Sequence, residues 1–199
     1  MTGKNETCSC FTRLQQRRTV LKTALGMGSA LQFIDFASAQ EIDPREARPQ
    51  ENDRFVFAFG EREGEIIAPE DLLLGGPQVI AYPMDPKTKL VRNGSRLNQV
   101  VLIHLDPEEL AEGTRDHSAE GIVAYSAVCT HTGCDVSEWQ DETKNFVCSC
   151  HYSEFDPRDG ARVLSGPAPR RLAALPLKLA DGVLMAAGGF SGRVGFKKR

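Results

Sequence analysis

Cys129-Thr-His131-Thr-Gly-Cys134, followed after a short gap by Cys148-Ser-Cys150-His151, is the stretch on which the reading of this chain turns. Each half offers one thiolate and one imidazole, Cys129 with His131 and Cys148 with His151, and each holds a spare cysteine, Cys134 and Cys150. Two sulfurs and two nitrogens presented by a pair of loops suit either one zinc ion or a two-iron cluster. Zinc accepts a Cys₂His₂ shell, usually with the cysteines paired in one half and the histidines in the other. Here each half is mixed. The other arrangement sorts the ligands by type, both cysteines on one iron and both histidines on the second.

The pattern C-x-H-x-x-C followed by C-x-C-H resembles the two cluster-binding boxes of the Rieske [2Fe–2S] family. The resemblance implies one [2Fe–2S] cluster, with Cys129 and Cys148 on one iron and His131 and His151 on the other. It also implies a disulfide between Cys134 and Cys150. Two neutral imidazoles in place of two thiolates make such a cluster less negative. Its potential then falls at about −150 to +300 mV, against about −400 mV for plant-type ferredoxins. The expected function is electron transfer.

Other residues around the boxes fit this reading. Gly133 stands where a loop must turn tightly, able to take φ > 0 and let backbone N–H groups approach the sulfurs. Ser153 matches the serine that hydrogen-bonds a bridging sulfide in high-potential members. Phe155 stands where those members have a tyrosine, which implies a lower potential. Gly166-Pro167-Ala-Pro169 resembles the proline loop that covers the cluster in cytochrome bc complexes. Trp139 and Phe146, between the boxes, read as packing residues, and His104 and His117 as structural or surface histidines.

The 199 residues suffice for one domain and a leader. With 24 basic and 27 acidic residues there is no basic surplus to suggest nucleic acid. Arg17-Arg18-Thr-Val-Leu-Lys22, a weakly apolar run and Ala37-Ser-Ala39 look like a twin-arginine export signal with its cleavage site, over residues 1–39. A retained membrane span is disfavoured: Thr23–Ala39 is shorter than the roughly 20 residues required. It also contains Asp35, at a cost of about 2.5–3.5 kcal/mol in a membrane helix. The expected location is therefore the periplasm, with membrane association if the leader is kept. Cys8 and Cys10 would leave with the leader.

Residues 40–54 are polar and aperiodic and read as a flexible linker or arm. Phe55–Phe59, Gln78–Pro83, Gln99–Leu105 and Gly121–Val128 have strand character, with Asn93-Gly94 as a turn before the third. Pro107–Glu112 reads as one or two helical turns capped by Asp106 and stopped by Gly113. Leu175–Leu179 and Val183–Ala187 read as a hairpin around Asp181-Gly182, and 191–199 as a basic tail. Closely spaced strands argue for an all-β sandwich or barrel. The resemblance implies a Rieske domain over 55–190: an antiparallel β base carrying a small cluster-binding subdomain over about 129–169.

Two subfamilies compete for the finer identity. Ile122-Val-Ala-Tyr-Ser126 and Cys148-Ser-Cys-His-Tyr-Ser-Glu-Phe-Asp156 are similar to the arsenite oxidase small subunit. That resemblance implies a large molybdenum-containing subunit as electron donor and a periplasmic cytochrome or copper protein as acceptor. The proline loop instead points to the Rieske subunit of a quinol-oxidising cytochrome bc complex, with cytochrome b and c1 as partners. Phe155 weighs toward the first reading, which is the one expected here, with the second as the alternative.

Overall fold

A computed structural model describes residues 43–196; the arginine pair, Cys8 and Cys10 lie outside the described residues. Six strands form one antiparallel sheet: β1 (Arg54–Phe57), β2 (Val79–Met84), β3 (Val100–His104), β4 (Ile122–Ser126), β9 (Leu177–Ala180) and β10 (Val183–Ala186), in the order β4-β3-β2-β1-β10-β9. A second antiparallel sheet holds β5 (Glu138–Gln140), β6 (Asn145–Cys148), β7 (Ser153–Asp156) and β8 (Arg162–Ser165) in sequence order. The all-β expectation holds. Helix is confined to single turns, of which α1 (Glu112–Arg115) is the one α-helical example among the described residues. None there is long and apolar enough to cross a membrane.

Why β3 and β4 read as near-continuous apolar runs is plain from their neighbours. Side chains alternate between the two faces of a strand, and here both faces are covered. Val101, Ile103, Val123 and Tyr125 pack with Phe146, Cys148 and Phe155 of the second sheet. Val100, Leu102, Ile122 and Ala124 pack on the other side with Phe55, Leu175 and Leu184. The series Val123, Tyr125, Ala127, Cys129 therefore runs along one face of the chain, straight into the inter-sheet core. Each large apolar side chain buried there stabilises the fold by about 1.5–3 kcal/mol. Tyr125 keeps its hydroxyl satisfied in this core by donating to the Pro157 carbonyl at 2.7 Å.

The open edge of β4 is covered by the chain that leads into β9. Ser126 N–H donates to the Ala173 carbonyl at 2.8 Å, and Leu175 N–H to the Ala124 carbonyl at 2.9 Å. The larger sheet is thereby bent nearly into a barrel. The hairpin around Asp181-Gly182 forms as expected, with positive φ at both residues (53° and 72°).

Three local expectations need correction. Residues 43–54 are not a free arm: Asn98 donates to the Ala47 carbonyl at 2.9 Å, and Asp53 is buried against Arg92 through bonds of 2.6 and 3.1 Å. Asn93-Gly94 does not form the tight turn between β2 and β3. The chain there continues into a 3₁₀ turn, Arg96–Asn98, whose Asn98 is bonded to Arg92 and Ala47. Gly113 does not stop a helix but lies inside α1, while Asp106 does cap the turn Pro107–Glu109.

Candidate metal centre

Both boxes sit at the end of the smaller sheet, on loops whose shape follows from their own backbone bonds. In the first loop, Cys129 N–H donates to the Cys134 carbonyl at 2.8 Å and Gly133 N–H to the Cys129 carbonyl at 3.1 Å. Gly133 has φ +85°, the left-handed conformation that glycine accepts without strain. The second loop is the tip of the β6–β7 hairpin. Cys148 pairs with Ser153 across the ladder, and Tyr152 N–H returns to the Cys148 carbonyl at 2.8 Å. Cys134 and Cys150 are joined by a disulfide with their Cα atoms 6.4 Å apart, which locks one loop to the other.

The four candidate ligands divide by type. Cys129 and Cys148 are free thiols, each 1% exposed, on the core side. His131 and His151 stand outward, ring centroids 4.6 Å apart and nearly perpendicular at 87°, with His131 half-buried and His151 exposed. His131 Nδ1 is buried and has no hydrogen-bond partner. A buried nitrogen without a partner is unfavourable in a protein alone, and coordination would satisfy it. Burial pushes the Cys148 thiol upward, and the neighbouring Cys129 adds to the effect, so a compensating positive charge would favour the Cys148 thiolate.

These features fit a group that takes two sulfurs on its buried side and two imidazoles on its outer side. The amides that favour charge on the Cys148 sulfur are those of Cys150 and His151. Gly133 contributes its conformation rather than its N–H, which is spent on Cys129 within the loop. The Cys148 sulfur lies within 4.8 Å of both disulfide sulfurs.

Ser153 and Phe155 are wholly buried at the root of the second loop. Gly166, Pro167 and Pro169 pass over that root: a Cβ at Gly166 would meet Ser153 Cα at 2.6 Å. Trp139 stacks 5.6 Å from Phe146 and closes against Gly76, joining the two sheets. His104 and His117 are held by the Leu72 and Gly113 carbonyls, away from the boxes. Thr130 and Arg96 have no sequence signal, yet both grip the first loop. Thr130 donates to the Arg170 carbonyl at 2.6 Å, and Arg96 donates to the Gly133 carbonyl at 3.1 Å.

Residues 95–176 match the Rieske [2Fe–2S] domain family. The cytochrome bc1 complex Rieske iron–sulfur subunit of Streptomyces lividans is 43% identical over 48% of this chain and 58% of its own length. A putative respiratory nitrate reductase Rieske subunit of Haloferax mediterranei is 48% identical over 40% of this chain and 36% of its own. The chain thus spans little more than half the length of the first of these relatives and about a third of the second. Among solved structures, the soluble domain of Rieske protein II from Sulfolobus acidocaldarius matches at a TM-score of 0.37 and 24% identity, over 48% of this chain and 66% of that one. With both boxes inside the matched residues, residues 95–176 of this chain are a Rieske [2Fe–2S] domain.

Proposed function

We propose that the chain is the Rieske subunit of a quinol-oxidising cytochrome bc-type complex, working beside cytochrome b and c1 partners. The observation that carries this reading is the polarity of the site: thiols 1% exposed on the inside, and His151 exposed at the tip. Cys129, His131, Cys148 and His151 would hold the cluster, which when bound accepts and donates one electron at a time. Next to His151, Tyr152 is 71% exposed, and the proline loop lies against its carbonyl through Gly166. On this reading the exposed Tyr152 ring and the proline loop offer apolar contact to a quinol ring. On this reading His151 accepts a hydrogen bond from a quinol hydroxyl. The named bc1 relative supports this alternative over the arsenite oxidase-like reading expected from Phe155.

One observation favours a second reading. Phe155 brings no hydroxyl to the core beside the cysteines, and a nitrate reductase Rieske subunit is among the relatives. A molybdenum-containing partner with a periplasmic cytochrome or copper protein as acceptor would suit a lower potential. For either reading we infer export by the twin-arginine route to the periplasmic side. The Cys134–Cys150 disulfide supports this, because such bonds persist in oxidising compartments. Purifying the native complex decides: b- and c-type haem with quinol oxidation supports the first reading, and co-purifying molybdenum the second.

A further inference from the structure

The chain beyond the matched domain, Ser191–Phe196, returns across the first cluster loop. Its start is fastened where Ser191 N–H donates to the Ala174 carbonyl at 2.7 Å. Arg170 then grips it from below, donating to the Arg193 carbonyl at 2.6 Å and also to the Gly195 carbonyl. Gly195 lies close on Leu97 and Val128, the latter adjoining Cys129. Phe196 comes to rest on Gly133: a Cβ added there would lie 2.8 Å from ring atom Cδ1 and 2.9 Å from Cε1. Arg170 closes the circuit, since its own carbonyl accepts from Thr130, between Cys129 and His131. Loop, proline cover and C-terminal segment are thus joined in a ring of contacts.

We infer that Ser191–Phe196 is a strap, and that Phe196 is a positioning residue which seals the outer side of the Cys129–Cys134 loop. Rested on Gly133, the ring holds the turn that presents His131 and limits the water reaching the site. This rests on the ligand reading above. Its consequence for a bound cluster has a definite sign. Water stabilises the more negative reduced form more than the oxidised form, so removing the seal raises the potential.

The test compares the full chain, as isolated with its cluster, with Phe196→Ala, Phe196→Leu and Arg170→Met, by amide hydrogen exchange and film voltammetry. For Phe196→Ala and Arg170→Met the expected result is about tenfold faster exchange of the Cys129 and Gly133 amides. Exchange in β3 and β4 should stay unchanged, and the potential should shift upward. Phe196→Leu should recover most of both effects. Parental exchange in the loop with parental potential would overturn the strap, as would acceleration spread equally over the base sheet. If the parent protein lacks iron, the ligand reading fails instead, and exchange in the metal-free chains still decides whether Phe196 holds the loop.

Discussion

The backbone N–H of Ala168, inside the proline loop, donates to the hydroxyl oxygen of Ser153 at 3.1 Å. Ser153 is wholly buried and follows His151 by two positions, so a single hydroxyl links the cover to the root of the ligand loop. Accepting that bond leaves its hydrogen free, and no hydrogen bond among the described residues uses it. The hydrogen is therefore available to a sulfur of the bound group.

Ser153→Ala removes both functions. A hydrogen bond that strengthens by about 1 kcal/mol on reduction corresponds to roughly 40 mV for one electron. The potential should fall by about that amount in film voltammetry, and stability should drop by about 1 kcal/mol because Ala168 loses its acceptor. An unchanged potential would show that the hydroxyl serves the loop alone.

Phe155→Tyr should move the potential the other way. Phe155 is wholly buried in the core that contains Cys129 and Cys148, so an added hydroxyl has a sulfur as its natural acceptor. The expected rise is again roughly 40 mV. A fall, or loss of fold without any rise, would mean that the new hydroxyl finds no sulfur.

The boxes could be read from the chain because their chemistry is local: ligand types, order and spacing lie within a short stretch. β3 and β4 were equally legible, since strands covered on both faces must be apolar throughout. The fastening of 43–54 was not. Its polar composition resembles a linker, and nothing nearby shows that Asp53 meets Arg92, 39 positions away. Phe196 on Gly133 is hidden for the same reason: one phenylalanine in a basic, glycine-containing tail has no pattern until the fold brings the two together. Asn93-Gly94 misled because a turn-favouring dipeptide says nothing of how Asn98 is bonded from outside.

The Asp53–Arg92 pair gives a prediction confined to the base. Asp53 is 2% exposed and its carboxylate also accepts from Gln50 N–H at 2.8 Å. Arg92→Met leaves that carboxylate buried without its cation, at a cost of about 3–5 kcal/mol. Urea denaturation should show the loss, while the potential of the folded fraction stays at the parental value. A change below about 1 kcal/mol would show that the carboxylate is reached by water.

The Cys134–Cys150 bond should matter more to retention of the cluster than to the base fold. Closing a loop of 16 residues contributes about 3 kcal/mol in the chain-entropy account. Here the bond also ties together the loops that carry the two boxes. The double variant Cys134→Ser/Cys150→Ser should lose iron to a chelator at least tenfold faster, followed by visible absorbance. It should keep the far-ultraviolet dichroism of the two sheets. Equal iron-release rates would mean that the backbone bonds of the loops suffice.

Two backbone positions beside His151 should differ sharply in their tolerance of substitution. Tyr152 has φ 55° and a side chain 71% exposed, so the left-handed conformation carries about 1 kcal/mol of strain with little burial in return. Tyr152→Gly relieves that strain but loosens the unfolded chain by a similar amount, and stability should stay within about 1 kcal/mol. Gly166 also has positive φ, +86°, but a Cβ there would meet Ser153 Cα at 2.6 Å and the Tyr152 carbonyl oxygen at 2.8 Å. Those are backbone atoms and cannot rotate away. Gly166→Ala must therefore lift the proline loop from the hairpin, costing more than about 2 kcal/mol. It should also break the Ala168–Ser153 bond while leaving the Ser153 hydrogen available to a sulfur, and water admitted beneath the lifted cover should move the potential upward. A Gly166→Ala protein with parental stability and potential would show that the cover rides freely over the ligand loop.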